Sequence, residues 1–541
     1  MSTGSGTNDE GTPSKCLPPT PPRVKAAPAG TMDVRCRRAL PLLLGSAVLL
    51  AGCRGVGAQG LTHWPVPPPP EPVGRQPQLW VALAARLGDD PLSLRAAAGS
   101  LQLRDANGVR LDGPELELRW GWQPLPEPQL IRRRVLGPFA SYEAAEQAAL
   151  AWGRQGVQAQ VAHPGEWEVW GPAAAAPPPG SQARLEEQRL RQRRLVQGRL
   201  PLPGSAGAWR QLAGPLQIQA PQGLRWQGGV FAGPFRLQAD ASDRWTLVEQ
   251  VPLEQYLLGV VPHEIGAGSP AAALEAQAVL ARTWALRNRQ RFAVDGYHLC
   301  ADTQCQVYGD PRQAGAAVRR AVGATAGRVL AWRGEPIHAV YHASNGGVAA
   351  DEEEAWPLPE LPYLEAFLDW SSAGRPPVRL PLGGPQELRQ VLSRRLGAYG
   401  ADHPRFRWRR LIREADLRQA VGARGVALGA PLRPVVLERG ASGRVVRLAI
   451  AGPGGQEVLV RDAIRRRLRQ LPSTLFVLQP VGAGAWWFEG GGFGHGAGLS
   501  QAGAIDLGAR GWSLERILSH YYPGTALVPL QQLQGRPSGG P

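Results

Sequence analysis

Residues 251–289 read VPLEQYLLGVVPHEIGAGSPAAALEAQAVLARTWALRNR, and the rest of the chain is best organised around them. Leu253, Tyr256, Leu257, Val260 and Val261 recur at the spacing of one apolar helix face, and Pro262 then bends or ends that helix. Glu264 follows the bend. Ser269 as N-cap and Pro270 as first helical residue predict a second helix, with Leu274, Ala278, Ala281 and Ala285 along one face. The sequence therefore sets a single carboxylate on a junction between two helices.

Working outward, 541 residues exceed one ordinary core and predict two to four structured units with linkers. The net charge of +16 comes almost wholly from Arg, since Lys occurs only at positions 15 and 25. Such a charge suits a polyanion or an anionic envelope surface, but no zinc-finger, helix-turn-helix or RNA-binding signature accompanies it, which argues against nucleic acid as a partner.

The N-terminal region speaks to location. Residues 1–31 have the composition of a disordered extension, and Met32 is a second candidate start. Residues 32–53 have the layout of a signal peptide: Arg35, Arg37 and Arg38, an apolar run from Ala39 to Leu50, then Leu50-Ala51-Gly52-Cys53. The run is too short to span a bilayer. LAGC resembles a bacterial lipobox, which implies lipidation of Cys53 and a membrane anchor; cleavage near Ala58 is the alternative. Residues 54–78, with VPPPPEPV, read as a Pro-rich tether, and 79–131 as a β-meander of short apolar runs between turns.

In 132–171 a strand-like RRVLGPF precedes a helix from Ser141 to Gly153 and the strands VQAQVAH and WEVWGP. This order is similar to a SPOR-type repeat, and the resemblance implies a module holding glycan strands stripped of stem peptides. Residues 172–205 read as a linker followed by a solvated basic helix, LEEQRLRQRRLVQGR. The region 206–528 returns to strands, enters the opening stretch, and contains an accessory lobe over 374–484 with strands such as VRLPL, PVVLER, RVVRLAIAG and QEVLVR. Residues 529–541 read as a flexible tail. The expected fold class is α+β, multi-lobed.

Four stretches carry the chemistry: VPLEQYLLGVVPHEI with ALEAQAVLARTWAL, HLCADTQCQVYGD (298–310), VYHASNGGVAADEEEAW (340–356), and GGGFGHGAGLSQAGAIDLGARGWSLERILSHYYPGT (490–525). Together, and in this order, they resemble the SpoIID (stage II sporulation protein D) and LytB amidase-enhancer family. The resemblance implies lytic transglycosylase activity on peptidoglycan glycan strands, cleaving between N-acetylmuramic acid and N-acetylglucosamine with a 1,6-anhydro end; its LytB branch implies instead a binder that enhances a cell-wall amidase. One carboxylate suffices for the first chemistry, because the substrate's own 6-hydroxyl replaces water as nucleophile, whereas ordinary glycosidases need two. Glu264 takes both acid and base roles, provided that its site favours the protonated form.

Gly-rich backbone lets a ligand approach closely, and His495, Ser500 and Gln501 offer the short polar contacts sugars use. His342, Ser344, Asn345, Gly346 and Gly347 are expected beside them, with Arg282, Gln306, Tyr308 and Tyr521 as further substrate-binding candidates. Asn345 stands where many family members have Cys, which excludes thiol chemistry there. The acidic run from Asp351 to Glu354 is expected as a solvated loop. Cys300 and Cys305, the pair left after export, are expected to form a disulfide. The resemblance also implies zinc near this segment, with His298, Cys300 and Cys305 as ligands, although Gln304 replaces the usual His before the second Cys. The proposed acid-base chemistry requires no cofactor.

Overall fold

A computed structural model describes residues 60–533, apart from 203, 204, 375, 377 and 383. The leader 32–53, its lipidation candidate Cys53 and the extension 1–31 lie outside the described residues. Helices and strands mix in several sheets, an α+β architecture. Among the described residues no helix is long and apolar enough to cross a membrane.

The junction is carried by a seven-stranded sheet. Its order is Leu299–Cys300, Gln78–Leu87, Trp245–Pro252, Phe235–Ala239, Leu216–Gln219, Leu101–Arg104 and Arg110–Gly113. Gln78–Leu87 pairs antiparallel with Trp245–Pro252 and parallel with Leu299–Cys300, so it lies inside the sheet. The expected separation of 79–131 from the region after 206 is therefore corrected: both halves supply strands to this sheet. Alternation explains the packing, since Leu79, Val81, Leu101, Leu103, Leu216, Ile218, Leu237, Leu247 and Val251 all turn into one core.

Residues 183–199 are also corrected, from a solvated helix to a strand. Ala183–Arg199 runs antiparallel to the 25-residue strand Glu115–Phe139, with Arg133 on Glu186 and Arg199 on Glu117 across the ladder. Arg, Gln and Glu favour helices locally, but pairing along a long partner strand outweighs that weak preference. The expected helix near 141–153 is present as α1 (Tyr142–Gly153), capped by the Ser141 hydroxyl accepting the Ala144 N–H, and followed by Gln160–Ala162 and Trp167–Pro172. The tether expectation changes as well. Leu61 pairs with the strand at Leu130 and Arg132, Trp64 N–H reaches Ala241, and Glu71 bridges to Arg289, so residues 61–71 are tied to the fold at both ends.

Helix α2 (Leu253–Val261) buries the predicted face, and α3 (Ala271–Arg287) is buried from Ala276 to Leu286 on all sides. An Ala-rich helix can run through a core in this way because its neighbours approach closely. Pro270, rather than Ser269, is the N-cap of α3; the Ser269 hydroxyl instead donates to the Ile265 carbonyl.

The accessory lobe has a core of its own, with Ile412, Leu448, Ile450, Ile464, Phe476 and Phe488 between two three-stranded sheets. Its last strand, Ala485–Gly490, pairs with Trp408–Arg413 and extends the lobe past residue 484. VRLPL forms no strand, where Pro381 removes a ladder donor. The start of the tail is ordered: Ala526–Pro529 pairs with Arg328–Trp332, and a short 3-10 turn follows to Gln532.

Candidate active site

Pro262 cannot donate to the helical ladder, and the chain widens there into a single π-type turn, Pro262–Gly266, closed by Gly266 at φ +86°. Glu264 sits on this turn. Its Oε1 accepts the Val307 N–H at 2.8 Å, and the Gln501 side chain also hydrogen-bonds the carboxylate. Burial raises the Glu264 pKa above the ordinary carboxylate range, and these two donors offset the rise only in part. Tyr256 and Tyr341 lie close enough for the Glu264 charge to act on their phenols, which burial already pushes well up.

Gln306 ties those two phenols together: Tyr256 donates to its Oε1 at 3.2 Å, and its Nε2 donates to the Tyr341 oxygen at 2.9 Å. Tyr341–His342 then runs parallel to Leu499–Ser500, Ser344 bridges Phe493, and Ala350 bridges Ala497. Three sequence-distant stretches, 298–310, 340–356 and 490–501, are thereby joined to the Glu264 turn. Gln501 opens the helix Gln501–Ala509 and also reaches Gln277 of α3.

Most of the expected sugar contacts are internal struts. Arg282 is fully buried and binds Glu254 through two nitrogens, at 2.8 and 2.7 Å, with its third on the Ala278 and Arg328 carbonyls. Tyr308 donates to Glu249, and Tyr521 donates to Asp369, which also receives Asn345 Nδ2 at 2.7 Å. The hydroxyl of Ser500 caps its helix by accepting the Gly503 N–H, and that of Ser344 accepts the Gly346 N–H. Gly346 and Gly347 are needed for space: a Cβ at Gly346 would lie 2.6 Å from the Gly491 carbonyl carbon, and one at Gly347 2.8 Å from the Trp370 ring nitrogen. These residues shape the site without facing it, whereas Gln501 meets Glu264 directly.

The two histidines are neutral. His495 donates from Nε2 to the Tyr341 carbonyl and accepts the Ala497 N–H at Nδ1, and burial lowers its pKa to about 4. His342 donates from Nδ1 to the Ala497 carbonyl, and burial lowers its pKa well below the usual range; its Nε2 is buried without a partner. The acidic run is not a solvated loop. Glu352 accepts the Leu361 N–H, Glu354 accepts Ser442, both are buried, and burial raises each to about 7.

Zinc does not fit residues 298–305. Cys300 and Cys305 are joined as a disulfide with Cα atoms 5.6 Å apart, and His298 spends both ring nitrogens on backbone, at the Trp80 N–H and the Pro70 carbonyl. Among the described residues no group of three His, Cys, Asp or Glu side chains gathers as metal ligands.

Tyr341, Tyr256 and the Val307 N–H are the members of the site that the sequence reading passed over. Tyr341 directly precedes the HASNGG motif, and that adjacency was the signal available for it.

Parts of the chain match known proteins. Residues 241–332, which hold the Glu264 junction, match the family described as Stage II sporulation protein, and residues 350–498 match a domain of unknown function (DUF8618). The Stage II sporulation protein D of Bacillus subtilis is 28% identical over 304 residues, covering 52% of this chain and 75% of that protein. The amidase enhancer of the same organism is 28% identical over 294 residues, covering 50% of this chain and 40% of the relative. The segment that builds the Glu264 turn is thus similar to the stage II sporulation protein (SpoIID) family, whose model it matches over residues 241–332.

Proposed function

We propose that the chain is a peptidoglycan lytic transglycosylase in which Glu264 is the sole acid and base. The observation that carries this reading is the position of Glu264, on the one turn where all four motif stretches meet, with burial favouring its protonated form. The protonated carboxyl donates to the glycosidic oxygen between N-acetylmuramic acid and N-acetylglucosamine as that bond breaks. The resulting carboxylate, steadied by the Val307 N–H and Gln501, accepts the proton of the muramyl 6-hydroxyl as its oxygen bonds to C1 and closes the 1,6-anhydro ring. Atoms balance without water or a metal. The LAGC stretch and the family resemblance support an exported, lipid-anchored protein in the bacterial envelope, and the α1 unit supports a second hold on the same glycan.

The test uses the full chain, because a fragment beginning near residue 200 would lose the strand Gln78–Leu87 from within the central sheet. Wild type incubated with glycan strands is expected to give anhydro-muramyl ends by mass spectrometry, and Glu264→Gln is expected to lower their yield at least about 100-fold. Cleavage should slow as pH rises through the elevated Glu264 pKa, since only the protonated acid starts the reaction. Binding without product would sink the catalytic reading in favour of a second one, a non-catalytic enhancer of a cell-wall amidase, which the amidase-enhancer relative supports.

A further inference from the structure

In the accessory lobe a cavity of about 310 Å³ is walled by Arg405, Arg410, Arg465, Arg466, Arg469 and Phe493. These residues come from four separate places: the loop before the strand Trp408–Arg413, that strand, the segment from the helix Asp462–Arg467 to Pro472, and the Gly-rich loop that also carries His495. Five arginines line one space with no carboxylate in its wall. The nearest compensating charge, Asp462, is buried behind Arg465 and Arg466 and holds both, at 2.9 and 2.8 Å. Arg405 lies over the Phe493 ring at 4.0 Å, which fixes its head in place. The backbone of Phe493 exchanges hydrogen bonds with Ser344, at 3.2 and 2.7 Å, so the wall of this cavity is continuous with the loops that shape the Glu264 site.

Like charges converge in this manner only at a cost, which an anionic ligand removes. Guanidinium is planar and offers paired donors matched to carboxylate and phosphate, so several arginines lining one small space favour a compact oxyanion over a neutral sugar.

We propose that this cavity binds an oxyanion group, carboxylate or phosphate, of the wall polymer that the Glu264 site cleaves; the identity of the polymer rests on the function proposed above, whereas the preference for oxyanions does not. Peptide substituents supply carboxylates and anionic wall polymers supply phosphates, and the protein engages the same donors with either.

The experiment is calorimetric titration of the full chain with pyrophosphate and with citrate at about 0.15 M salt, where diffuse surface attraction is screened. Saturable binding is expected, weakened about tenfold by Arg469→Gln and by Arg405→Gln, both exposed positions, and unchanged by Arg424→Gln, which is exposed but outside the cavity wall. Absence of saturable binding, or equal weakening by Arg424→Gln, overturns the site. Retention on immobilised peptide-bearing glycan and on a phosphate-rich wall polymer then names the source: the polymer whose retention drops in Arg469→Gln carries the ligand, and no drop with either overturns the assignment to the wall. Glu264→Gln is expected to keep every one of these affinities, so loss of cleavage and loss of anion binding are read separately.

Discussion

Arg282 was expected at the substrate and is found in the core, and replacing it by Met separates the two roles. The side chain is fully buried, with two nitrogens on Glu254 and the third on the Ala278 and Arg328 carbonyls. Met keeps much of the stem's volume and removes every donor. Glu254 would keep only the Gly327 N–H at 3.1 Å, and the Arg328 carbonyl would lose its side-chain donor. Breaking a fully buried pair by deleting one partner costs about 3–5 kcal/mol. The Glu254 side chain is 35% exposed, so water recovers part of its solvation, and about 2–3 kcal/mol is expected. Guanidinium chloride unfolding followed by tryptophan fluorescence measures the loss, and glycan affinity of the folded variant should stay within about twofold of wild type. Arg282→Met/Glu254→Gln should recover most of the stability, since no charge is left unpaired. An unchanged unfolding midpoint with lost glycan affinity would refute the reasoning and return Arg282 to the substrate.

Glu249 is almost fully buried, accepts the Gly233 N–H and the Tyr308 hydroxyl, and burial raises its pKa from 4.5 to about 7. A raised carboxyl favours folding below pH 4.5 and loses that contribution as pH climbs to about 7, roughly 3 kcal/mol in all; Glu249→Gln should flatten this slope in melts between pH 4 and 8. Gly346→Ala, at φ +69° with its new Cβ 2.6 and 2.7 Å from the Gly491 and Gly492 backbone, should cost about 3 kcal/mol or more and depress cleavage, and a wild-type melting temperature would contradict the contact. Replacing Cys300 and Cys305 by Ser opens a short loop and should cost about 2 kcal/mol. Zinc or a chelator should leave the melting point and cleavage of the oxidised chain unchanged, and a rise in melting temperature on adding zinc would show that the fit argument is mistaken.

What lay in the sequence was whatever the backbone decides over one or two turns. The apolar spacing from Leu253 to Val261, the break at Pro262 and the Ala-rich run after Pro270 located the α2, Glu264 and α3 junction, because helix faces and proline stops are local properties. The helix expected from Ser141 to Gly153 was legible for the same reason, and the structure moves Ser141 from its first residue to its cap. Residues 183–199 were misread because Arg, Gln and Glu carry a helix preference, and only the partner strand Glu115–Phe139, more than 40 residues away, makes the extended form better.

The candidate site divides along the same line. Sequence alone placed Glu264, the Cys300 and Cys305 pair and the Gly-rich loops, each a matter of residue type and spacing. Which polar side chains face the substrate and which hold the walls was decided in three dimensions: Arg282, Gln306, Tyr308, Asn345 and Tyr521 read as sugar contacts but are consumed by Glu254, Tyr256, Tyr341, Glu249 and Asp369. A buried donor must find a partner, and that partner comes from whatever stretch the fold brings against it. Burial of Glu264, and with it the raised pKa on which the proposed chemistry depends, likewise arises only when residues 306–307, 341 and 501 close around the turn, because desolvation belongs to the packed neighbourhood and not to the residue.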